Sequence, residues 1–417
     1  MPPSVAAEAA TPGAASFTVA REAPTVELAL ADDLTPDKAL HPWWSAWGDL
    51  CVARDGRVYF GIGDHGDCAA GTAKLYLYRW EPDAHRLSRV LDANALVKRE
   101  RGEPAFSKVH GRIDEGRDGR LYFTATLNDG AAAGEAQYKW SEALPGGQLY
   151  AYDPATDRAE IVANLPARKC SLSCRLDAAR NVWWCNLDGN KTDAMWAYDL
   201  TQKREVFRSA EGVVAANRCF VLARGGAVWF NGKDSVLWRV DPAGYTGAPT
   251  LLRFPESQFM RCATDPDGRG VFYGVTAPEG LKTREFNLFR CDTAAGTLEM
   301  LGREFTSGHY TTVCVLSPDE KRVYYIPSAP GAPVVQYDVA LNQRKVIAFL
   351  DDVLSKGAHF AVGSVFGLKM TPDGSVLYAH TNGSCFPDAR PANKAEMAKV
   401  GRPAPAFLAI HIPAQER

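Results

Sequence analysis

The sequence predicts an all-β protein, a seven-bladed β-propeller of four-stranded antiparallel blades closed by an N-terminal strand. Three features carry that prediction: a turn signal that recurs along the whole chain, a β-rich run after each recurrence, and a last unit that stops one strand short. The turn pairs are Asp55-Gly56, Asp118-Gly119, Arg180-Asn181, Gly225-Gly226, Asp267-Gly268, Asp319-Glu320 and Asp373-Gly374, so first residues are 63, 62, 45, 42, 52 and 54 apart. That is the spacing of propeller blades, and neither a barrel nor a sandwich accounts for it together with the missing strand.

Each turn leads into a run rich in β-branched and aromatic residues, which reads as the second strand of its blade: RVYFGIG, RLYFTAT, VWWCNLD, AVWFNGK, GVFYGVT, RVYYIPS and SVLYAHT. A third strand follows, as in LYLYRWEPD, QLYAYDPATD, MWAYDLTQ, VLWRVDPAG, LFRCDTAAG and VVQYDVALN, with the alternation of a strand held between two neighbouring sheets. A fourth closes the unit in AEIVANL, REVFRSA and RKVIAFL. The seventh unit has VFGLKMT, SVLYAHT and FLAIHIP but no fourth strand, and TVELALAD near the N-terminus is the natural replacement, which also removes an open sheet edge. Residues 1–16 are rich in Ala, Pro and Ser without periodicity and are expected to form a disordered tail, leaving 17–417 as a single propeller domain.

Composition bounds the function. The 417 residues are 46% hydrophobic with a net charge of −2, and no long basic stripe exists to neutralise phosphates, so a general nucleic-acid partner is not expected. No apolar run reaches the roughly 18 residues of a membrane span. Ten cysteines are too sparse for a disulfide scaffold. A secreted or periplasmic location is expected, because a chain whose export signal has been removed could begin as this one does, and a cytoplasmic location is the alternative. A monomer is expected.

In a four-stranded blade, the start of the first strand and the end of the second lie on one face, near the central channel. First strands begin around Trp47, His110, Arg175, Asn217 with Arg218, Arg261, and His309 with Tyr310, and His359 comes shortly before the seventh. Second strands end at Asp64 and His65, Asn128, Asn186 with Asp188, Asn231 with Lys233, and His380 with Asn382. Arginines and histidines crowding one mouth of a near-neutral protein make a focused positive field, suited to an anion carrying a carboxylate. Long connections at 92–107, 128–146 and 383–405 are placed to form a rim on that face, and Tyr138 and Trp140 on the second could stack on a sugar ring.

The pair His65 and His110, brought together from adjacent blades, could take and return a proton near neutral pH. A uronic acid is a demanding guest: its C5 proton is hard to remove until the adjacent carboxylate is neutralised, a task suited to the planar fork of Arg175, Arg218 or Arg261. The stretch FGIGDHGD through KVHGRIDEGRDGRLYFTAT resembles the seven-bladed propeller polysaccharide lyases that eliminate across a bond to glucuronic acid, the rhamnose–glucuronate lyases and, more distantly, ulvan lyases. The resemblance implies catalysis by His65 and His110 with an arginine, Arg175 or Arg218, on the carboxylate. It also implies a tyrosine proton donor. No tyrosine stands in the window where ulvan lyases carry theirs, which leaves Tyr310 or the second histidine for that role and favours L-rhamnose-α-1,4-D-glucuronate as substrate. Arg261, His309, Asn217, Trp47, Tyr138, Trp140 and His380 are then the expected substrate contacts.

No cofactor is required by this chemistry. A divalent ion such as Ca2+ in the central channel, or a site formed by His309, His359 and His380, would be the metal alternative, although no short ligand motif supports it. Two other functions compete: a metal-dependent propeller lactonase or hydrolase, drawing on Asp64, Asn186, Asp188 and Asn231, and a non-catalytic scaffold for protein partners.

Overall fold

In the computed structural model, residues 17–31, 33–34, 44–64, 68, 71–96, 105–126, 146–167, 169–188, 193–216, 218–278, 286–306, 310–354, 359–386 and 401–417 are described. They form seven antiparallel sheets arranged as the blades of a propeller, with one short helix at Leu350–Leu354. The expected tail at 1–16 and most of the three rim connections lie outside the described residues.

The second strands are those read from the sequence, among them Val58–Asp64, Leu121–Thr126 and Val182–Asp188. Their alternation has a direct structural result. Val58, Phe60 and Ile62 of blade one face blade seven, whereas Tyr59 between them faces blade two. Trp183 and Trp184 likewise point to opposite neighbours, blade two and blade four. Seven apolar clusters result among the described residues, one at each blade-to-blade interface. Each fully buried large apolar side chain contributes about 1.5–3 kcal/mol, so the interfaces, rather than the individual sheets, hold the ring.

The innermost strands run side by side in one direction, and polar side chains on the second strands clamp each to the next. Asn231 donates to the Met260 carbonyl at 2.8 Å and accepts from its N–H at 3.0 Å. Asn382 makes the same pair of bonds with Ala46, at 3.0 and 2.7 Å, and Thr126 donates to the Ser171 carbonyl at 3.1 Å. In blades one and two the inner strand is interrupted, as Trp44–Ser45 then Cys51–Val52, and Lys108–Val109 then Asp114–Glu115. Glycine permits the interruption: a Cβ on Gly48 would stand 2.1 Å from the Gly111 carbonyl oxygen, and one on Gly111 2.2 Å from Cys174 Sγ.

The ring closes as expected, with Thr25–Leu30 antiparallel to Arg402–His411 as the outer strand of blade seven. A contact the sequence reading did not anticipate precedes it. Phe17–Val19 pairs in parallel with the outer strand of blade six, Gln343–Phe349, so the N-terminal segment fastens two blades in succession.

Glu27, on the closing strand, receives His411 Nε2 at 2.6 Å and His85 Nδ1 of blade one at 2.5 Å. Burial alone would raise the Glu27 carboxyl, but the hydrogen bonds and charges of His85 and His411 outweigh it and hold the group below its usual range. A carboxylate depressed in the folded state adds stability above its unfolded value and loses that contribution as pH falls through the folded one. Glu27→Gln should therefore lower Tm at neutral pH and flatten the acid-side fall in Tm that the wild type shows below about pH 4.5. Thermal melts over a pH series check this, and superimposable profiles would contradict the latch.

Candidate functional site

A cavity of about 150 Å³ occupies the channel, lined by inner-strand residues from all seven blades. Because those strands are parallel, position along each one is depth in the channel. His110 Nδ1 lies 3.3 Å from the Leu172 carbonyl, the Leu176 N–H reaches Asp114 at 2.8 Å, and Asp49 bridges Arg112, which fixes the levels of blades one, two and three.

Near the face where first strands begin stand Lys108, His110, Arg218, Arg261, Tyr310 and Trp47. Arg218 donates to His110 Nε2 at 3.1 Å, so the imidazole carries its hydrogen on Nδ1, toward Leu172. Trp47 stacks on His110 with centroids 5.9 Å apart, and Lys108 Nζ lies 4.1 Å from the centre of the Trp47 ring. Arg261 stacks over the Tyr310 ring at 4.5 Å and donates to its hydroxyl. Among the described residues none of Lys108, His110, Arg218 and Arg261 is ion-paired with a carboxylate, and Arg261 Nε is buried without an acceptor.

The electrostatic consequence is visible in Lys108, His110 and Arg261. Burial first, then the Arg218 charge, push the Lys108 ammonium down to about 7. The same two causes, with Lys108 added, hold the His110 imidazole well below its usual value, so it is neutral. Burial and Arg218 also lower Arg261, to about 9, which leaves its guanidinium protonated at neutral pH.

Deeper in the channel the charges are matched. Arg112 donates to both oxygens of Asp265 at 2.8 and 2.9 Å and lies 2.7 Å from Asp114. Arg175 also pairs with Asp265, and Lys369 with Asp49. Asp265 faces the lumen, 55% exposed, yet is ringed by protein; burial would raise its carboxyl, but the Arg112 and Lys369 charges hold it below the usual range. Three carboxylates and three cations thus fill this level.

This geometry revises several sequence expectations. Arg175 is not at a strand start, because the inner strand of blade three begins at Cys170; Arg175 lies at the deeper level, neutralised by Asp265. His380 is fully buried, its ring 5.3 Å from that of Phe60, and does not line the cavity, because its strand continues to Cys385 and leaves it in the strand interior. Burial pushes it down to about 4. The register pairs Gly367 with His380 and Phe360 with Cys385, and the Phe386 N–H donates to the His359 carbonyl, so His359 and His380 stand roughly 20 Å apart along the strand, too far to share an ion. His65, Asn217, His309, Asn128, Tyr138 and Trp140 lie outside the described residues; Asp64, just before His65, is at the same end as Lys108, since Gly63 abuts Ser107. His110, Arg218, Arg261, Tyr310 and Trp47 are brought together as expected. Lys108 was missed, although its position two residues before His110, on the same strand face, was the available signal.

A divalent ion fits poorly among the described residues. The upper donors are Lys, Arg and a neutral His, the lower carboxylates are taken by Arg112, Arg175 and Lys369, and no group of three ligating side chains is assembled among the described residues. Of the four residues a hydrolase would draw on, Asn231 clamps blades through both its amide atoms and Asp64 accepts from Lys74 N–H at 2.8 Å, while Asn186 donates to the Cys219 carbonyl at 3.4 Å with its buried oxygen lacking a partner among the described residues, and Asp188 lies 3.9 Å from Cys170 Sγ.

No protein-family model matches the chain, and no curated protein does. Among solved structures it is similar to oligogalacturonate lyase in complex with manganese, with a TM-score of 0.55 and 11% identity over 96% of this chain and 99% of the other. It is similar also to a chain of the mitotic checkpoint complex, with a TM-score of 0.54 and 12% identity over 99% of both. At such identities the likeness establishes the propeller fold, which serves unrelated functions.

If Asn231 is a clamp, Asn231→Ala should destabilise the protein by roughly 3 kcal/mol, since it leaves the Met260 N–H and carbonyl buried without partners. Denaturant unfolding measures this, and a midpoint equal to that of the wild type would remove the clamp.

Proposed function

We propose that the protein is a polysaccharide lyase that cleaves the bond to glucuronic acid by β-elimination, releasing L-rhamnose from the 4-position and leaving an unsaturated uronate. One observation carries the reading: Lys108, Arg218 and Arg261 crowd one end of the channel without carboxylate partners among the described residues, while the cations below them are all paired. Mutual repulsion among buried cations is offset only by an anion, and a carboxylate matches the guanidinium fork.

The chemistry follows from that placement. Arg218 and Arg261 take the uronate carboxylate and remove the charge that otherwise opposes a carbanion at C5. A basic group beside them accepts the C5 proton, the electron pair forms the C4–C5 double bond, and the C4–O bond breaks. Tyr310, whose hydroxyl is fixed by Arg261, is the proton donor to the departing oxygen. That a propeller of this architecture is an oligogalacturonate lyase, an enzyme named for a uronate substrate, supports the substrate class. Because the described donors do not favour a divalent ion, no step is routed through one.

The test is incubation with glucuronate-containing glycans bearing terminal rhamnose, read by the ultraviolet absorbance of the unsaturated uronate and by free rhamnose. Both should rise together, and a chelator should leave the rate unchanged. Arg218→Lys should cost about a hundredfold or more in kcat, the effect of removing one preorganised charge-stabilising donor. Rhamnose released without an unsaturated product would indicate hydrolysis and refute the lyase.

A further inference from the structure

His110 has no lone pair to spare. Its Nδ1 hydrogen is directed at the Leu172 carbonyl, and its Nε2 accepts from Arg218. A base must present an electron pair to the substrate, and to do so His110 would have to break the contact that aims the arginine. Burial, Arg218 and Lys108 all act against its protonation.

Lys108 differs in each respect. It lies on the same face of the strand, two residues nearer the opening, and is 8% exposed. Its Nζ touches the Trp47 π face and has no hydrogen-bond acceptor among the described residues. Among the described residues, the titratable and charged groups facing it are Arg218 from blade four, His110 on its own blade, Cys68 from blade one and Cys170 from blade three. Cys170 is raised well above its usual value by burial and remains a thiol. Among the described residues no carboxylate therefore holds the ammonium, and its free amine is populated at neutral pH, the condition under which a base is most effective.

Resting on the reading of this site as a uronate lyase, we propose that the Lys108 amine is the base that takes the C5 proton, and that His110 is a positioning residue that aims Arg218. The amine lone pair forms a new N–H bond as C5–H breaks. The C5 electrons become the C4–C5 double bond, and the C4–O bond breaks. Tyr310 supplies the proton to the departing oxygen, leaving Lys108 an ammonium and Tyr310 a phenolate. Proton return through water restores both, with no net change in protons.

The experiment compares wild type, Lys108→Arg, Lys108→Ala and His110→Gln. Glucuronate affinity is followed by calorimetry and kcat by unsaturated-uronate formation across the neutral range. Arginine keeps the charge but cannot give up its proton, so Lys108→Arg should bind glucuronate as the wild type does while losing about a thousandfold in kcat. Lys108→Ala should be inactive and regain turnover with an added alkylamine. Glutamine can donate to Leu172 and accept from Arg218, so His110→Gln should keep kcat within about tenfold and preserve the pH profile. An active Lys108→Arg, or an inactive His110→Gln that still binds glucuronate, would overturn the assignment of the base and leave the lyase intact. A wild type that forms no unsaturated product would overturn both.

Discussion

Seven inner strands lie side by side and point the same way around one channel, and most of what distinguishes this molecule follows from that constraint. Residues far apart in sequence become neighbours whenever they occupy equal depth, as Asp49 and Arg112 do, or His110 and Leu172. The clamps from Asn231, Asn382 and Thr126 fix those depths, because each ties one blade's second strand to the backbone of the next blade's first. Apolar clusters between blades supply the attraction; the polar clamps set the register at which it acts.

Depth also sorts the charges. At one level three carboxylates meet three cations, and the arrangement is self-sufficient. A short way along the same strands, lysine and two arginines gather around a neutral imidazole, and burial with the Arg218 charge lowers the proton affinities of Lys108, His110 and Arg261. The first level closes the channel electrostatically. The second has no carboxylate partner among the described residues, which makes it the place to look for function in a fold that oligogalacturonate lyase and a chain of the mitotic checkpoint complex also possess.

The second strands are the most legible part of the sequence, because a strand packed between two neighbouring blades is apolar along most of its length and so writes a run of aromatic and β-branched residues. Inner strands were harder. In CSLSCRLD small residues mask where the strand begins, and Arg175 was placed a level too high. His380 was misplaced because its strand extends past the apparent end to Cys385. Phe17–Val19 is too short to carry a period, and its pairing with blade six depends on a partner more than 300 residues away. Lys108 was in plain view beside His110, but burial and the approach of Arg218, the facts that alter its chemistry, are properties of the closed ring. His65, His309, Asn217, Tyr138 and Trp140 lie outside the described residues.

The central claim is that the upper level of the channel needs an anion, and calorimetric titration tests it without requiring turnover. D-glucuronate should bind the wild-type protein, weaken as ionic strength rises, and fail to bind Arg218→Met, while D-glucose gives no heat under the same conditions. Equal binding of the acid and the neutral sugar, or undiminished binding by Arg218→Met, would contradict the account.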